Sequence, residues 1–212
     1  PMTQKLLPPR YRVLRSLGRG GQGAVYLASD RLRAGARVAV KVVEWGGGTA
    51  PPSSNLGEEF LLLTRLAHPS IARVRDFGHL AGGRGAYFTS DYVPGRTCLE
   101  WAYGLAPKDK WGQLTDVAAQ ALHALQYLSL RRVTHGDLKP ANLLVEDRLD
   151  EANRRPFLKI IDFGAARLRR PDESPDLQVG TLAYSPPPEL RREPLLPVAV
   201  DVQESEWARL GR

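Results

Sequence analysis

Four short runs in the first half of the chain have the length and apolar content of β-strands. They span residues 11–17, 24–28, 38–43 and 86–93. Between the third and the fourth run, residues 58–67 carry two acidic residues and then five large apolar ones, and His68-Pro69 follows. Acidic residues are favourable in the first turn of a helix, and the residue before a proline disfavours helix. The pattern therefore predicts a mainly β region that contains one helix.

The second half of the chain has a longer helical pattern. Residues 113–130 predict one amphipathic helix, whose apolar positions are Leu114, Val117, Ala121, Leu125 and Leu128. Residues 99–110 predict a poorly defined region of helix and loop, and we expect Trp101 and Trp111 to pack in the core or against another part of the fold. Two further apolar runs, at 143–145 and 157–161, predict strands that a polar loop at 146–156 connects.

Composition places the chain among soluble globular proteins. Its 212 residues, 42% hydrophobic and 25% charged, can form one domain or one domain of two lobes. Cys98 is the only cysteine, so no internal disulfide or cysteine-based metal site is expected, as in a reducing cytoplasm. Residues 1–10 lack the apolar region of a signal peptide, and the chain has no apolar run of about 18 residues. We therefore expect a cytoplasmic protein with no membrane span in this segment.

The net charge of +7 raises the question of a nucleic-acid partner. The basic residues are scattered, with short clusters only at 167–170 and 191–192. A solvated basic face explains this distribution better than nucleic-acid binding does, and it also suits an enzyme of an anionic nucleotide. We expect no nucleic-acid partner.

One stretch, residues 134–145, carries the chemistry around which the chain is organised. It places a carboxylate, an amine and a carboxamide at Asp137, Lys139 and Asn142, and a second carboxylate follows in Asp162-Phe163-Gly164. Phosphoryl transfer needs a carboxylate that orients the attacking hydroxyl, a cation that offsets charge on the phosphoryl group, and oxygen ligands for Mg²⁺. The stretch supplies all of these groups.

Two segments near the start of the chain suggest phosphate binding. Three glycines, at 18, 20 and 23, lie between two strand runs and let the backbone N–H groups approach phosphates closely. A dinucleotide-binding loop shares this spacing but opens a helix, whereas residues 24–28 predict a strand. In residues 38–43 the only charged residue is Lys41, and a lysine in an apolar strand requires an anion nearby.

Three other features are interpreted as structural. Asp76-Phe77-Gly78 repeats the later tripeptide, but no catalytic stretch precedes it, so we predict a strand edge and turn. His68 is expected to cap the end of the helix. His123 lies within the amphipathic helix and is expected at its surface or in the core.

Taken in order, these motifs resemble those of eukaryotic-like serine/threonine protein kinases of the type found in bacteria. The resemblance rests on residues 18–27, 38–41, 134–145, 162–164 and 180–184. It implies an α+β, bilobal fold, with a β-rich N-lobe that has one main helix and a mostly helical C-lobe. The implied boundaries are a lead-in at 1–10, the N-lobe with the hinge at 11–93, a partial C-lobe at 94–201, and a divergent tail at 202–212.

The resemblance also implies roles for single residues. Asp137 would orient the substrate hydroxyl, Lys139 would contact the γ-phosphate of ATP, and Asn142 and Asp162 would hold Mg²⁺. Lys41 would hold the other phosphates, paired with Glu59, which stands nine residues before His68-Pro69. The other implied nucleotide contacts are Leu17, Gly18, Gly20, Gly23, Val25, Ala39, Ser90 as gatekeeper, Asp91 and Val93 of the hinge, and Leu144. The partners would be ATP and a protein substrate that offers Ser or Thr.

The sequence departs from the family pattern at three places. Gly136 replaces the arginine that often meets a phosphorylated activation loop, so we expect activity not to be switched in that way. The run Pro187-Pro188-Glu189 ends one position later than usual after Tyr184. The residues after Val200-Asp201-Val202 are too polar for the central helix of the C-lobe, which predicts an incomplete lobe with an exposed apolar face.

Two alternatives to an active protein kinase remain. The chain could be a catalytically impaired kinase fragment or pseudokinase that binds nucleotide or a partner without turnover. A small-molecule kinase with a similar N-lobe is disfavoured by Lys139-Pro140 and Gly180-Thr181. A longer natural chain could carry additional domains.

Overall fold

The computed structural model describes residues 5–20, 23–45, 60–61, 63–149, 154–164 and 166–168. These residues divide into two compact units. Unit one contains the described residues up to Ala67 together with Ala72–Val93, and unit two contains His68–Ile71 and the described residues from Pro94 onward.

Unit one is built on a five-stranded antiparallel sheet with the strand order β1-β2-β3-β5-β4. Its strands are β1 (Tyr11–Gly20), β2 (Gly23–Asp30), β3 (Ala36–Glu44), β4 (Val74–His79) and β5 (Gly85–Asp91). Short 3₁₀ turns at Arg31–Arg33 and Ala81–Gly83 connect β2 to β3 and β4 to β5. All four strand runs predicted in this region are present.

The core of unit one lies on one face of this sheet. Val38, Val40 and Val42 alternate along β3 and are each at most 3% exposed. They cluster with Leu7, from the segment before β1, and with Tyr11. The residues before β1 are therefore part of the core, a role that their sequence did not indicate.

The helix predicted at 58–67 falls partly within the described residues. Residues 60, 61, 63 and 64 are helical. Leu63 and Leu66 are buried, as the apolar pattern predicted, and the ring of Phe60 lies 5.4 Å from that of Phe77. This segment therefore packs against the sheet through β4.

The tripeptide Asp76-Phe77-Gly78 lies in β4, which is the last strand of the sheet. Oδ2 of Asp76 accepts hydrogen bonds from Nη1 of Arg10 at 2.6 Å and from the hydroxyl of Tyr11 at 2.8 Å. The structural role predicted for the tripeptide agrees with these bonds, but the tripeptide lies within the strand and not at a strand edge followed by a turn.

Unit two combines two helices with two small sheets. The helices are α1 (Cys98–Tyr103) and α2 (Pro107–Leu130). One sheet has the order β6-β8-β9 and the other pairs β7 with β10. The strands are β6 (Arg96–Thr97), β7 (Val133–Thr134), β8 (Leu143–Leu149), β9 (Arg154–Ile160) and β10 (Arg167–Leu168).

The helices of unit two match the prediction in part. Residues 98–103, in the region expected to combine helix and loop, form a helix because Thr97 and Glu100 make a capping box, in which each side chain bonds the backbone N–H of the other. Helix α2 begins at Pro107, earlier than the apolar period indicated, since proline is favourable in the first turn. Trp101 is buried as expected, but Trp111 is 66% exposed and the packing expected for it is not observed.

The hairpin of β8 and β9 corrects another expectation. Residues 146–149 and 154–156, predicted as parts of a polar loop, continue the two strands, and their backbones pair from Glu146–Phe157 to Leu149–Arg154. The exposed residues lie towards the turn of the hairpin: the side chains of Val145 and Leu158 are buried, while Asp147 and Arg155 are exposed. The solvated end of a hairpin resembles a polar loop when only its composition is considered.

The side chain of Gln120 connects α2 to β9. Its Nε2 donates to the carbonyl oxygen of Pro156 at 3.0 Å, and its Oε1 accepts from the backbone N–H of Leu158 at 2.9 Å. Leu125 and Leu128 of α2 are buried, whereas Leu122 and Leu130 are exposed. Neither described helix is long and apolar enough to cross a membrane.

His68 and His123 both have structural surroundings in unit two. Nδ1 of His68 accepts a hydrogen bond from the backbone N–H of Ser70, and its ring packs 5.1 Å from that of Tyr127. Burial, followed by the nearby charges of His123, Lys159 and Arg131, lowers the pKa of His68. His123 is exposed on α2, which is one of the two positions expected for it.

Candidate active site

Three polar residues of the loop between β7 and β8 are almost fully buried. His135, Asp137 and Asn142 are 4%, 5% and 6% exposed. The loop leaves β7 at Thr134 and forms a 3₁₀ turn over Pro140–Asn142 before β8 begins. Buried polar side chains must be hydrogen-bonded, so their partners define the geometry of the loop.

Asn142 holds Asp137 in place. Its Nδ2 donates to the backbone oxygen of Asp137 at 2.7 Å and to Oδ2 of the same residue at 3.3 Å. Because the amide nitrogen is used in this way, Oδ1 remains as the acceptor atom of Asn142, and it accepts no hydrogen bond from a described residue. An amide oxygen in this position has the chemistry of a ligand for a hard cation.

Lys139 forms an ion pair with Asp137, with Nζ 2.8 Å from Oδ2. The Asp137 side chain is 5% exposed and that of Lys139 is 27% exposed, so one end of the pair reaches solvent. A cation is therefore fixed next to the carboxylate that is the candidate base. The structure brings together the three residues that the sequence predicted in this loop.

His135 is a supporting residue to which the sequence had assigned no role. Nδ1 accepts from the backbone N–H of Asp137 at 3.3 Å, so Nε2 carries the hydrogen and donates to the carbonyl oxygen of Ile161 at 3.0 Å. Its ring also packs against Phe163, with centroids 4.7 Å apart. His135 thus connects the loop between β7 and β8 to the segment that carries Asp162. Its position two residues before Asp137 is the only signal in the sequence.

Asp162 has an unusual backbone conformation. Its φ is +59°, in a region that residues other than glycine adopt at a cost of about 1–2 kcal/mol. Two bonds support this geometry: Oδ1 of Asp162 accepts from the N–H of Gly164 at 3.2 Å, and the N–H of Ile161 donates to the carbonyl oxygen of Asn142 at 2.9 Å. Backbone strain of this kind is concentrated at functional sites.

Gly136 also has a positive φ, of +80°. Here the residue type suits the conformation, since glycine adopts this region without a steric penalty. At the position where the resemblance implies an arginine, this chain therefore has a residue that tolerates a positive φ.

In unit one, the glycine-rich segment lies at a hairpin. β1 and β2 pair with Gly20 opposite Gly23, so the third glycine opens a strand, as predicted, and the dinucleotide-loop alternative is wrong. A Cβ on Gly23 would lie 2.2 Å from the carbonyl oxygen of Val42, so only glycine is compatible with this packing. Gly18 is exposed, with open space around its Cα.

Four of the predicted nucleotide contacts share one face of the sheet. Lys41 pairs across the sheet with Val25, and Ala39 pairs with Ser90. Directly opposed residues project to the same face, and Ala39 and Lys41 alternate with the core valines of β3. Lys41 is half-buried on the face opposite that core.

The remaining predicted contacts have varied surroundings. Leu17 is exposed, the Val93 side chain is buried, and Leu144 is half-buried in β8. The carboxylate of Asp91 binds Arg75 at 2.6 and 2.8 Å, and its N–H donates to the carbonyl oxygen of Arg73. The side chain of Asp91 is therefore used within unit one.

Several predictions concern residues outside the described part of the chain. They are Glu59, residues 169–179 of the activation segment that is expected at 165–179, the segments 180–184 and 187–189, and Asp201. No cluster of three or more His, Cys, Asp or Glu with metal-binding geometry is found among the described residues.

Comparison with known proteins identifies the family. The model of the protein kinase domain matches residues 11–203. Two relatives are from Myxococcus xanthus: serine/threonine-protein kinase pkn2, 31% identical over 85% of this chain, and serine/threonine-protein kinase Pkn1, 34% identical over 84%. A third, CBL-interacting protein kinase 16 from rice (Oryza sativa subsp. japonica), is 34% identical over 90% of this chain.

The chain belongs to the protein kinase family, and serine/threonine kinases, bacterial ones among them, are its relatives. The predicted family and the α+β, bilobal fold are confirmed. The aligned regions cover 21% and 25% of the two Myxococcus proteins and 40% of the rice protein.

Proposed function

We propose that this chain transfers the γ-phosphoryl group of ATP to serine or threonine hydroxyls of protein substrates. The observation that carries the proposal is the arrangement of Asp137, which is buried, held by Asn142 and paired with Lys139 at 2.8 Å. Family membership supports the reaction type, and the relatives with serine/threonine kinase names support the substrate class.

Asp137 would act on the attacking hydroxyl. Its carboxylate accepts the hydrogen of the serine or threonine hydroxyl and aims the oxygen lone pair at the γ-phosphorus. The new P–O bond forms as the bond to the β-phosphate oxygen breaks, so ADP leaves with that electron pair and the proton passes to Asp137. The hydrogen bond from Asn142 to the backbone of Asp137 keeps the carboxylate in one orientation.

Lys139 would offset negative charge on the moving phosphoryl group. In the structure its Nζ bonds Asp137, and the partly exposed position of its side chain leaves it accessible to a phosphate oxygen. Fixed charges of this kind supply a large part of the rate enhancement in phosphoryl transfer, because they need no reorganisation during the reaction.

A divalent cation suits the oxygen donors of unit two. Oδ1 of Asn142 and the carboxylate of Asp162 are hard ligands of the type that Mg²⁺ prefers. Mg²⁺, when bound, would neutralise phosphate charge. The strained φ of Asp162 is consistent with a carboxylate that is held for such a role.

Unit one would supply the contacts to the nucleotide. The glycine-rich hairpin offers backbone N–H groups to phosphates, and Lys41 offers a charge on the sheet face that it shares with Val25, Ala39 and Ser90. In this proposal Glu59 is the carboxylate that pairs with Lys41.

The test is transfer of labelled γ-phosphate from Mg-ATP by the 212-residue chain to a generic basic protein substrate. Asp137→Asn is expected to lower the rate by at least about a hundredfold, the usual contribution of a positioned acid or base. Asp116→Asn, an exposed aspartate of α2, is the matched control and should leave the rate unchanged. Chelation of Mg²⁺ should abolish transfer.

Equal rates for wild type and Asp137→Asn would overturn the assignment of Asp137. Absence of any transfer, combined with Mg²⁺-dependent ATP binding that Lys41→Met removes, would identify the chain as a nucleotide-binding module without turnover.

A further inference from the structure

A groove of about 820 Å³ opens on unit one, away from the residues assigned to nucleotide and phosphate. The segment before β1, the start of β1 and the connection from β4 to β5 form its walls. Its charged or titratable lining residues are Lys5, Arg12, Arg31 and His79, and no acidic residue is among the described residues that line it.

The three permanent cations of this groove have no carboxylate partner among the described residues. Lys5, Arg12 and Arg31 are all exposed, and none forms an ion pair there. The carboxylates of Asp30 and Asp76 both bind Arg10, at 2.8 and 2.6 Å, so these three residues together carry one net negative charge against the three cations of the groove. The lining therefore has a net positive charge.

The rest of the lining is mainly apolar. Leu6 and Val13 are partly buried and pack against the core cluster of unit one, so the floor of the groove is anchored to the sheet. The volume is that of a pocket for a small molecule or for a few side chains of a peptide. An apolar floor surrounded by cations selects a ligand that has both apolar groups and negative charge.

We propose that this groove binds a peptide segment of a partner protein in which acidic residues stand beside apolar ones. Apolar side chains of the segment enter the groove and contact Leu6 and Val13. Its carboxylates pair with Lys5, Arg12 and Arg31. A concave site favours a protruding chain segment over the flat surface of a lipid bilayer. The proposal does not depend on phosphoryl transfer.

The probe is a short fluorescein-labelled peptide of alternating Glu and Leu, and its anisotropy is measured with the full chain at low salt. A peptide of alternating Glu and Ser tests the apolar requirement, and one of alternating Lys and Leu tests the charge. Saturable binding is expected for the first peptide only. This binding should weaken as salt screens the charges.

Charge-reversal variants locate the binding site. The double variant Arg12→Glu/Arg31→Glu is expected to weaken binding about tenfold, and Ala81→Glu, at an exposed lining position, about threefold. Arg37→Glu, an exposed arginine of β3 outside the groove, is the matched control and should bind as the wild type does. Circular dichroism melts establish that all variants are folded.

Three outcomes would overturn the proposal. They are no saturable binding of the Glu-Leu peptide, equal weakening by Arg37→Glu and by the double variant, and binding to phosphatidylserine vesicles without binding to the peptide. The last result would identify a membrane-binding surface. Loss of phosphoryl transfer in Asp137→Asn is measured separately, so a failure of one proposal leaves the other intact.

Discussion

Arg10 holds Asp30 through two parallel hydrogen bonds, each 2.8 Å long, from Nε to Oδ1 and from Nη2 to Oδ2. Asp30 is 1% exposed, and its Oδ1 also accepts from the backbone N–H of Leu32 at the start of a 3₁₀ turn. Bidentate pairs of arginine and carboxylate are among the stronger hydrogen-bonded ion pairs in proteins. The pair joins the segment before β1 to the end of β2.

Stability should therefore depend on pH through Asp30. The hydrogen bonds from Arg10 lower the pKa of Asp30 from its ordinary value of 3.8, with a smaller contribution from the N–H of Leu32. The stabilisation is complete above about pH 4 and is lost as the pH falls through the lower pKa of the folded state. We expect Asp30→Asn to lower the free energy of unfolding by about 2 kcal/mol at pH 7.

Urea unfolding of wild type and Asp30→Asn at several pH values measures this effect. The two free energies should converge as the pH falls below 4. Asp116→Asn, at an exposed position, provides the baseline. A difference between wild type and Asp30→Asn that does not change with pH would contradict the assignment.

Asn142→Asp should damage the loop between β7 and β8 in two ways. The new carboxylate cannot donate to the backbone oxygen of Asp137, and it places a second negative charge where Nδ2 now lies 3.3 Å from Oδ2. We expect a loss of about 2 kcal/mol in stability and of at least about a hundredfold in the rate of transfer. Thermal melts and the phosphate-transfer assay measure the two effects.

The control variant Ala141→Asp adds the same charge at an exposed neighbouring position and should lower stability far less. If both variants lost the same stability, the loss would come from the added charge alone and not from the missing hydrogen bond.

Gly136→Ala should destabilise the chain by about 1 kcal/mol, because alanine is strained at a φ of +80°. The matched control is Gly112→Ala, in α2, where a Cβ would have open space. That variant should stabilise the chain by up to about 1 kcal/mol, since alanine favours helix over glycine. Opposite shifts of the urea midpoint are the expected result, and shifts of the same sign would show that the backbone argument is wrong.

Gln120→Ala should cost about 2 kcal/mol, because the buried N–H of Leu158 and the carbonyl oxygen of Pro156 lose their partner. Gln126→Ala, an exposed glutamine six positions later on the same helix, is the control and should change stability by less than about 0.5 kcal/mol. Hydrogen exchange of the Leu158 amide gives a local readout. If its protection were the same in Gln120→Ala as in the wild type, the bridge would have no structural role.

Local pattern was sufficient for much of the fold and of the candidate site. The length and apolar content of short runs predicted β1, β2, β3 and β5, and the spacing of Asp137, Lys139 and Asn142 predicted three residues that the structure brings together. These features depend on neighbours in sequence.

Other features depend on partners that are distant in sequence. The bond from Gln120 to Leu158 and the ion pairs of Arg10 have no local signature. The residues next to a glutamine or an arginine in the sequence do not show whether its side chain binds a distant residue or lies in solvent. Trp111 shows the converse error, since a large aromatic residue was expected to be packed and is exposed. The roles assigned to the site residues remain predictions.

The bridge made by Gln120 also bears on the edge of the sheet that contains β9. β9 is the outer strand of its sheet as described, and an outer strand offers unpaired backbone groups to another chain. On this strand Gln120 bonds the carbonyl oxygen of Pro156 and the N–H of Leu158, and the carbonyl oxygen of Ser70 accepts from the N–H of Ile160. A glutamine side chain and a short loop thus take the place of a further strand, and the three backbone groups that they bind are not open to pairing with another chain.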